Sequence, residues 1–264
     1  MPLELVQPDW AAAAGVVAAM STRRGGVSRP PFDSLNLQPP VVGDPAADRP
    51  GAVRENQSRF AQALGAQPVW LQQVHGADVV RLGVADLSPG YALHRADAGV
   101  TTVPGLACAV LVADCLPVLM CARNGRAVAA AHAGWRGLAA GVLERTLAAL
   151  CGAANCASDE VLVWLGVGIG PGQFEVGADV LLAFGASPGA GADASTRFAP
   201  RPRPDGAPRW LADLPGLARD RLAEAGVTEI SGASGCSVEE SSRFFSFRRD
   251  GRTGRMAAAI AIGR

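Results

Sequence analysis

The sequence predicts one α/β domain that spans residues 1–264. Short apolar runs of strand length alternate with longer stretches whose apolar residues recur at helical spacing, and no internal repeat divides the chain. Hydrophobic residues make up 49% of the chain, and 24 basic residues balance 24 acidic ones. This composition is typical of a compact globular protein and not of a disordered one.

Strands are predicted where apolar runs end at polar or turn residues. In chain order these runs cover residues 16–20, 68–74, 106–113, 118–121, 127–131 and 161–165. The Asn124-Gly125 pair between two of these runs predicts a hairpin turn. Residues 243–250 and 256–262 are expected to form a closing hairpin.

Helices are predicted over residues 50–64, 138–150 and 214–225. The first helix carries Val53, Phe60 and Leu64 on one face, and the Gly65 that follows favours a helix end. The third helix has Pro215 in its first turn, where proline is tolerated. Residues 185–208 are rich in Ala, Gly, Pro and Arg, which predicts a long, flexible surface loop.

The composition excludes several classes of function. All 24 basic residues are arginines, which rules out a lysine Schiff base and a P-loop lysine. The balanced charge argues against nucleic acid as a partner. The longest apolar run, residues 106–122, contains Asp114 and Pro117, which argues against a membrane span. Because no secretory leader precedes the six cysteines, we expect reduced thiols and a cytoplasmic location.

His75, Cys115 and His132 form the candidate reaction centre. The chain has three histidines, and two of them, like Cys115, follow the end of a predicted strand. Neighbouring strand ends can bring side chains together, and two imidazoles with one thiolate suit a catalytic zinc ion with an open fourth position. The residues equally allow a metal-free centre, in which Cys115 is a nucleophile, a histidine is its base and Asp114 orients that histidine. A third interpretation is two structural histidines and a buried cysteine.

Arg136 is the strongest candidate for an anion contact. It lies in the first turn of the helix predicted after His132, where backbone amides and a guanidinium together favour phosphate. Weaker candidates for the same role are Arg24, Arg248 and Arg249. Residues 166–172 are rich in glycine, but Gln173 stands where a dinucleotide-binding motif requires its third glycine. A tight loop that lets backbones approach is therefore favoured there.

Seven short motifs occur in one order between residues 24 and 256. They are Arg24-Gly-Gly-Val-Ser28, Ser34-Leu-Asn-Leu37, Gln73-Val-His-Gly76, Ala113-Asp-Cys-Leu-Pro117, His132-Ala-Gly-Trp-Arg-Gly137, Gly170-Pro171 and Phe244-Phe-Ser-Phe-Arg-Arg-Asp250, the last followed by Thr253-Gly-Arg-Met256. Together they resemble the YfiH-type family, whose members have been labelled laccase-domain or multicopper polyphenol oxidase proteins and are described as purine nucleoside phosphorylases.

The resemblance implies a fold and a set of functional residues. The implied fold is a layered α/β sandwich with mixed β-sheets between helices, of the YfiH and cytotoxic-necrotising-factor type. His75, Cys115 and His132 would bind Zn²⁺, with copper as an alternative occupant, and Asp114 would join them in the catalytic set. The residues implied to contact substrate or phosphate are Arg24, Asn36, Gln73 and Arg136.

The resemblance also implies an activity. It is the phosphorolysis of adenosine, inosine, guanosine and methylthioadenosine to base and ribose 1-phosphate, with adenosine deamination at the same site. Purine nucleosides and phosphate are the expected partners, and a homodimer is allowed. The alternatives are a hydrolase that edits peptidoglycan precursors and a copper-binding polyphenol oxidase. Three histidines fall well short of the roughly ten that a multicopper oxidase needs, which argues against an oxygen-reducing copper cluster.

Two positions depart from the family pattern. Val42 stands where a histidine often precedes Gly-Asp, and Asn56-Gln57 stands where an Asn-Arg pair is usual. If the missing arginine contacts phosphate in relatives, its replacement by Gln57 bears directly on phosphorolysis by this chain.

Overall fold

A computed structural model of the chain describes residues 3–40, 47–88, 93–187 and 197–263. Sheet 1 has five strands, which in spatial order are β1 (Leu5–Val6), β2 (Val16–Ser21), β14 (Met256–Ile262), β6 (Leu106–Val112) and β3 (Gln67–Val69). Strands β6 and β3 run parallel and the other neighbours run antiparallel, so the sheet is mixed.

Sheet 2 is also mixed and has six strands. In spatial order they are β13 (Glu229–Gly232), β9 (Val161–Leu165), β7 (Leu116–Ala122), β8 (Val128–Ala133), β5 (Ala98–Thr101) and β4 (Val79–Leu82). The two outer pairs run parallel and the inner pairs antiparallel. The predicted turn at Asn124-Gly125 joins β7 to β8. A smaller sheet contains β10 (Glu175–Val176), β12 (Trp210–Ala212) and β11 (Phe198–Pro200).

The helices are α1 (Pro50–Leu64), α2 (Trp135–Ala139), α3 (Val142–Ala154), α4 (Ala178–Ala183), α5 (Leu214–Glu224) and α6 (Phe247–Asp250). Helix α1 ends as predicted at Gly65, whose φ of 73° is left-handed. The Asp213 side chain caps α5 by accepting a hydrogen bond from Gly216 N. Among the described residues, no helix combines the length and apolar character that crossing a bilayer requires.

The two large sheets pack face to face, and helices cover their outer faces. Strand β14 shows the alternation that produces this arrangement: Met256 and Ile260 lie in the core between the sheets, while Ala257 and Ala259 pack against Phe60 of α1. The outer face of sheet 2 packs in the same way against α3 and α5. The four layers confirm the predicted α/β sandwich. That the whole chain is one domain stays a prediction.

The strand predicted over residues 68–74 is shorter in the structure. It ends at Val69, and beyond it Leu71 makes an isolated bridge with His94. The backbone amides of Val74, His75 and Gly76 donate to the carboxylate of one buried aspartate instead of to a neighbouring strand. His75 therefore lies in a loop, with a left-handed φ of 60°.

Two other predicted elements also differ. The single helix over residues 138–150 is two helices, α2 and α3, because Gly141 between them takes a φ of 87°. The closing hairpin is wrong: Ser246 Oγ accepts from Arg249 N, and this cap starts the one-turn helix α6. Part of the predicted loop 185–208, residues 188–196, lies outside the described residues, as does Val42. The later part of that loop contributes β11.

Candidate metal centre

The side chains of His75, Cys115 and His132 meet beside the connection between the two large sheets. Cys115 lies in that connection, between β6 of sheet 1 and β7 of sheet 2, and His132 lies near the end of β8. The ligand atoms of the three residues all lie within 4.8 Å of one another, and Cys115 Sγ is 3.8 Å from His75 Nε2. The structure thus brings the three predicted ligands together.

Asp114 shapes the turn that presents Cys115. It has a left-handed φ of 100°, which is costly for a residue with a side chain. Three hydrogen bonds hold it there: Asp114 Oδ1 accepts from Ser237 Oγ at 2.7 Å, Oδ2 from Arg248 N at 2.7 Å, and Asp114 O from Ile169 N at 2.8 Å. Its carboxylate bonds neither histidine. This corrects the expectation that Asp114 orients one of them.

Asp97 is the carboxylate that orients the histidines. It is fully buried at the start of β5, and its Oδ1 accepts from His132 Nδ1 at 2.8 Å and from His75 N at 2.9 Å. Its Oδ2 accepts from Val74 N and Gly76 N. Burial raises the pKa of Asp97, but these hydrogen bonds outweigh it and lower the pKa below its usual value. Because His132 uses Nδ1 for this bond, its Nε2 is left for a ligand.

The electrostatics of the cluster favour a thiolate. Burial raises the pKa of Cys115, but the charge on His132 and the hydrogen bonds from both histidines outweigh it and lower the pKa to about 6. Burial lowers the pKa of His132, whereas the Cys115 thiolate and the bond to Asp97 raise it to about 9. Near neutral pH the metal-free pair is therefore a thiolate and an imidazolium. The thiolate is the form of cysteine that binds metals.

The spacing of the cluster is close to that of a tetrahedral zinc site. Bond lengths of about 2.0–2.1 Å to nitrogen and about 2.3 Å to sulfur place a nitrogen and a sulfur ligand about 3.5 Å apart. The 3.8 Å between Cys115 Sγ and His75 Nε2 is slightly longer than this distance. Gly134 keeps the neighbouring space open, since a Cβ there would lie 3.0 Å from Cys115 Sγ and 3.1 Å from His75 Cδ2. The cluster could therefore bind a metal ion.

A cavity of about 720 Å³ opens onto the cluster, a volume suited to a small organic ligand. Its apolar walls include Leu71, Leu111, Ile169, Phe174 and Leu214. Its lining also contains three arginines, Arg136, Arg248 and Arg255, against a single carboxylate, that of Asp114. The described lining is therefore apolar with an excess of positive charge.

Gln73 and Arg136 both line this cavity, as predicted, but they differ in what their side chains have free. The Gln73 amide donates from Nε2 to Leu111 O at 2.9 Å and accepts from Leu111 N at 2.7 Å, so both of its ends are used by β6. Arg136 is exposed and stacks on the Trp135 ring at 4.4 Å. Within the described residues its guanidinium makes no hydrogen bond, which leaves its donors free for a ligand.

Arg24 and Asn36 do not line the cavity. The Arg24 guanidinium is bound at the surface, where it donates to Ser242 O at 2.8 Å and pairs with Glu4 at 3.3 Å. Asn36 is buried, and its Oδ1 accepts from the backbone of Arg255 at 2.9 Å. The structure thus places both residues away from any ligand in the cavity.

Asn36 belongs to a group of buried side chains that we call the polar network: Ser28, Asn36, Asp48 and Asn56. Asp48 Oδ2 accepts from Ser28 Oγ at 2.6 Å and from Asn36 Nδ2 at 3.1 Å. Asn56 Nδ2 donates to Ser28 Oγ and Asn36 O. Next to it, Gln57 Nε2 donates to Leu37 O at 2.9 Å. The Gln57 side chain therefore holds the backbone of a motif and does not line the cavity.

Sequence reasoning missed three residues of the site. Gly134 and Arg255 lie inside the family motifs. Gly134 has no side chain that could indicate a role, and nothing in the sequence distinguishes Arg255 from the other arginines among the 24. Asp97 lies in no recognised motif. The only feature of the sequence that points to Asp97 is its position directly before the small and apolar residues 98–100. A carboxylate that is buried in such a segment needs several hydrogen-bond partners.

Comparisons with known proteins give matches over almost the whole chain. A family described as multi-copper polyphenol oxidoreductase laccase matches residues 17–263, a range that includes the whole cluster. The purine nucleoside phosphorylase YfiH of Escherichia coli is 49% identical over 259 residues, which cover 97% of this chain and 98% of that protein. A purine nucleoside phosphorylase of Pseudomonas aeruginosa is 49% identical over 253 residues, or 96% of each chain.

Solved structures share the same fold. The crystal structure of a Neisseria meningitidis protein matches with a TM-score of 0.84 and 42% identity, and the match covers 98% of this chain and 99% of that one. YlmD from Geobacillus stearothermophilus matches with a TM-score of 0.85 and 31% identity, over 98% and 96% of the two chains. The layered architecture is therefore common to these proteins over almost their whole length.

Proposed function

The chain belongs to the family described as multi-copper polyphenol oxidoreductase laccase, and from this premise we propose that it is a purine nucleoside phosphorylase. Relatives that carry this name are 49% identical over almost the full chain, which supports the proposal. The observation that carries it is the combination of a three-ligand cluster and three arginines in the lining of one cavity. Such a cavity suits a neutral nucleoside and an anionic second substrate.

The proposed cofactor is Zn²⁺, held by Cys115 Sγ and the imidazoles of His75 and His132. Two nitrogen donors and one thiolate match catalytic zinc sites, and copper binds the same donors strongly enough to replace zinc in some preparations. When bound, the ion supplies a Lewis acid beside the cavity. Asp97 fixes the tautomer of His132, and Gly134 keeps the space beside Cys115 and His75 open.

In the proposed reaction a phosphate oxygen bonds to ribose C1′ as the bond from C1′ to the purine nitrogen breaks. The bonding electrons leave with the purine, which then takes up a proton, and ribose 1-phosphate is the other product. The arginines of the lining hold the phosphate, and Ile169, Phe174 and Leu214 offer the purine an apolar wall. The substrates proposed are adenosine, inosine, guanosine and methylthioadenosine.

Adenosine deamination is proposed as a second activity of the same cavity, in which water replaces the amino group and ammonia leaves. We place the enzyme in the cytoplasm, where glutathione keeps Cys115 reduced and phosphate is abundant. The proposal allows a homodimer, and the molar mass in solution tests it in the same preparation.

The proposal is tested by measuring base release from the four nucleosides with and without inorganic phosphate. We expect base and sugar 1-phosphate in equal amounts, and only when phosphate is present; the sugar product is 5-methylthioribose 1-phosphate for methylthioadenosine and ribose 1-phosphate for the other three. Cys115→Ala should lose this activity together with the metal, whereas Cys156→Ala, which changes a half-buried thiol outside the cavity lining, should keep both. Equal base release without phosphate would make the protein a hydrolase, and no release from any nucleoside would contradict the proposal.

A cysteine hydrolase acting on peptidoglycan precursors is the second candidate, and the thiolate–imidazolium pair of Cys115 and His132 favours it. The two candidates make opposite demands on the metal. A cysteine hydrolase would work when metal-free and would be inactivated by alkylation of Cys115, whereas the phosphorylase should regain activity when zinc is added back. Activity of the chelator-treated protein therefore separates them.

A further inference from the structure

Arg255 is held differently from the other two arginines that line the cavity. Arg136 and Arg248 are exposed, whereas Arg255 is partly buried and its guanidinium lies 5.8 Å from the Phe247 ring. Arg255 Nη1 donates to Thr253 O and Gly254 O, both at 3.1 Å. Among the described residues, Nε and Nη2 of Arg255 have no hydrogen-bond partner, and no carboxylate forms an ion pair with the guanidinium. These two atoms form the edge of a guanidinium that can bind a phosphate with two parallel hydrogen bonds.

The surroundings of Arg255 leave its charge poorly compensated. Burial lowers the pKa of Arg255, and the negative charges of Cys115 and Asp114 oppose that fall only in part. An arginine nevertheless keeps its proton at neutral pH. A cation that has lost part of its hydration without gaining a carboxylate partner is stabilised by an anionic ligand. The exposed Arg136 and Arg248 keep their hydration and have less to gain.

The polar network fixes the backbone that carries Arg255. Asn36 Oδ1 accepts from Arg255 N at 2.9 Å, and Leu37 N donates to Arg255 O at 3.1 Å. The neighbouring Gly254 packs so closely that a Cβ there would lie 2.7 Å from the Phe245 ring. Since Asp48 in turn holds Asn36, the position of Arg255 is set before any ligand arrives. A guanidinium placed in advance loses less entropy when it binds.

We propose that Arg255 is the anchor of the phosphate in this cavity and that Asn36 is its positioning residue. This inference rests on the proposed function for the identity of the anion. Arg255 holds the phosphate through Nε and Nη2 at the partly buried part of the lining, and Arg136 contributes from the exposed part. The Asn36 side chain acts through the backbone of Arg255 and does not touch the ligand.

The test is the binding of inorganic phosphate to the folded protein, measured by calorimetry in the absence of nucleoside. Arg255→Met keeps most of the side-chain volume and removes the charge; we expect phosphate to bind at least tenfold more weakly. Arg24→Met is the matched control, because it removes an arginine that lies outside the cavity lining, and it should bind phosphate within twofold of the wild type. Equal affinity in the wild type and Arg255→Met, both folded, would overturn the inference.

Arg255→Lys serves if the methionine variant does not fold. It keeps the charge but loses the planar pair of donors, so phosphate should bind several-fold more weakly, and wild-type affinity would overturn the inference. Asn36→Ala should raise the KM for phosphate and leave the KM for nucleoside unchanged; an equal rise in both would show a merely structural role for Asn36. Because binding is measured without turnover, phosphate held by Arg255 in a protein that does not cleave nucleosides would reject the proposed function alone.

Discussion

The metal-ligand cluster and the polar network are both groups of polar side chains that contact one another, but they differ in the hydrogen-bonding or ligand atoms that each side chain leaves unused. In the network, both carboxylate oxygens of Asp48 accept hydrogen bonds. The amide oxygen and the amide nitrogen of Asn56 are both hydrogen-bonded within the protein, and so are those of Asn36. In the cluster, Asp97 bonds one ring nitrogen of His132, Nδ1, and leaves the other, Nε2, unused. The ligand atoms of His75, Cys115 and His132 remain close together beside a cavity.

This difference separates two roles that a sequence motif does not distinguish. Ser28 and Asn36 lie in motifs as recognisable as those of His75 and His132. Yet both side chains donate to the buried Asp48 carboxylate, and Asn36 also holds the backbone of Arg255. A polar side chain in a motif is therefore a candidate ligand contact only when some of its hydrogen-bonding capacity remains unused. By that criterion Arg136 and Arg255 qualify. Arg24 also keeps an unused Nη2 among the described residues, but it lies outside the cavity lining and so is not a candidate.

The sharpest test of the difference between the cluster and the network replaces one buried carboxylate in each of them by an amide. Asp97→Asn should weaken zinc binding by about 10- to 100-fold, because the partner that orients His132 is lost. Asp48→Asn is the matched control; it disturbs bonds to Ser28 and Asn36 and should leave zinc affinity unchanged. Competition with a chromogenic chelator measures both. Equal weakening in the two variants would show that the regions are not independent.

The reverse experiment perturbs the network alone. Asn56→Ala removes the hydrogen bonds of its side chain to Val27 N, Ser34 O and Asn36 O, so the free energy of unfolding should fall by about 2 kcal/mol, roughly 30-fold in the unfolding equilibrium. Urea unfolding of the zinc-loaded protein measures this. A loss below about 0.5 kcal/mol would mean that water replaces these bonds without cost.

The smallest expected effect concerns the thiol itself. Because its pKa is lowered to about 6, Cys115 of the metal-free protein stays a thiolate above that pH and becomes a thiol as the pH falls through it. Its alkylation by iodoacetamide should slow about tenfold between pH 7 and pH 5. Cys156, whose pKa burial and Cys151 raise to about 11, should react slowly throughout and serves as the reference in the same peptide map. A midpoint near pH 8.5 for Cys115 would contradict the lowered pKa.

Most strands and helices could be predicted because they follow from local patterns, whereas their layered arrangement was implied by the family resemblance. The apolar run of β14 and the helical spacing of α1 need no information about distant parts of the chain. One error arose where a distant group decided the local structure. The loop at His75 departs from strand geometry because its amides bind Asp97, 22 residues away in sequence. The error at the predicted hairpin has a local cause: the Ser246 side chain caps a helix turn within one predicted strand.

The candidate site was predictable in its ligands and not in its supports. The chain has three histidines and six cysteines, and His75, Cys115 and His132 stand out because each follows a predicted strand and lies in a family motif. Asp97 and Arg255 are common residue types, and what distinguishes them is burial and the number of partners, which only the packed structure determines.

The most direct test of the account is the zinc content of the chain, measured by plasma mass spectrometry on wild-type protein and on His132→Ala. We expect about one zinc per wild-type chain and almost none in the variant, because the two remaining ligands bind the ion too weakly for it to stay bound during purification. Wild-type protein from zinc-supplemented cells that is as poor in metal as the variant would contradict this expectation, and so would a variant that keeps its zinc.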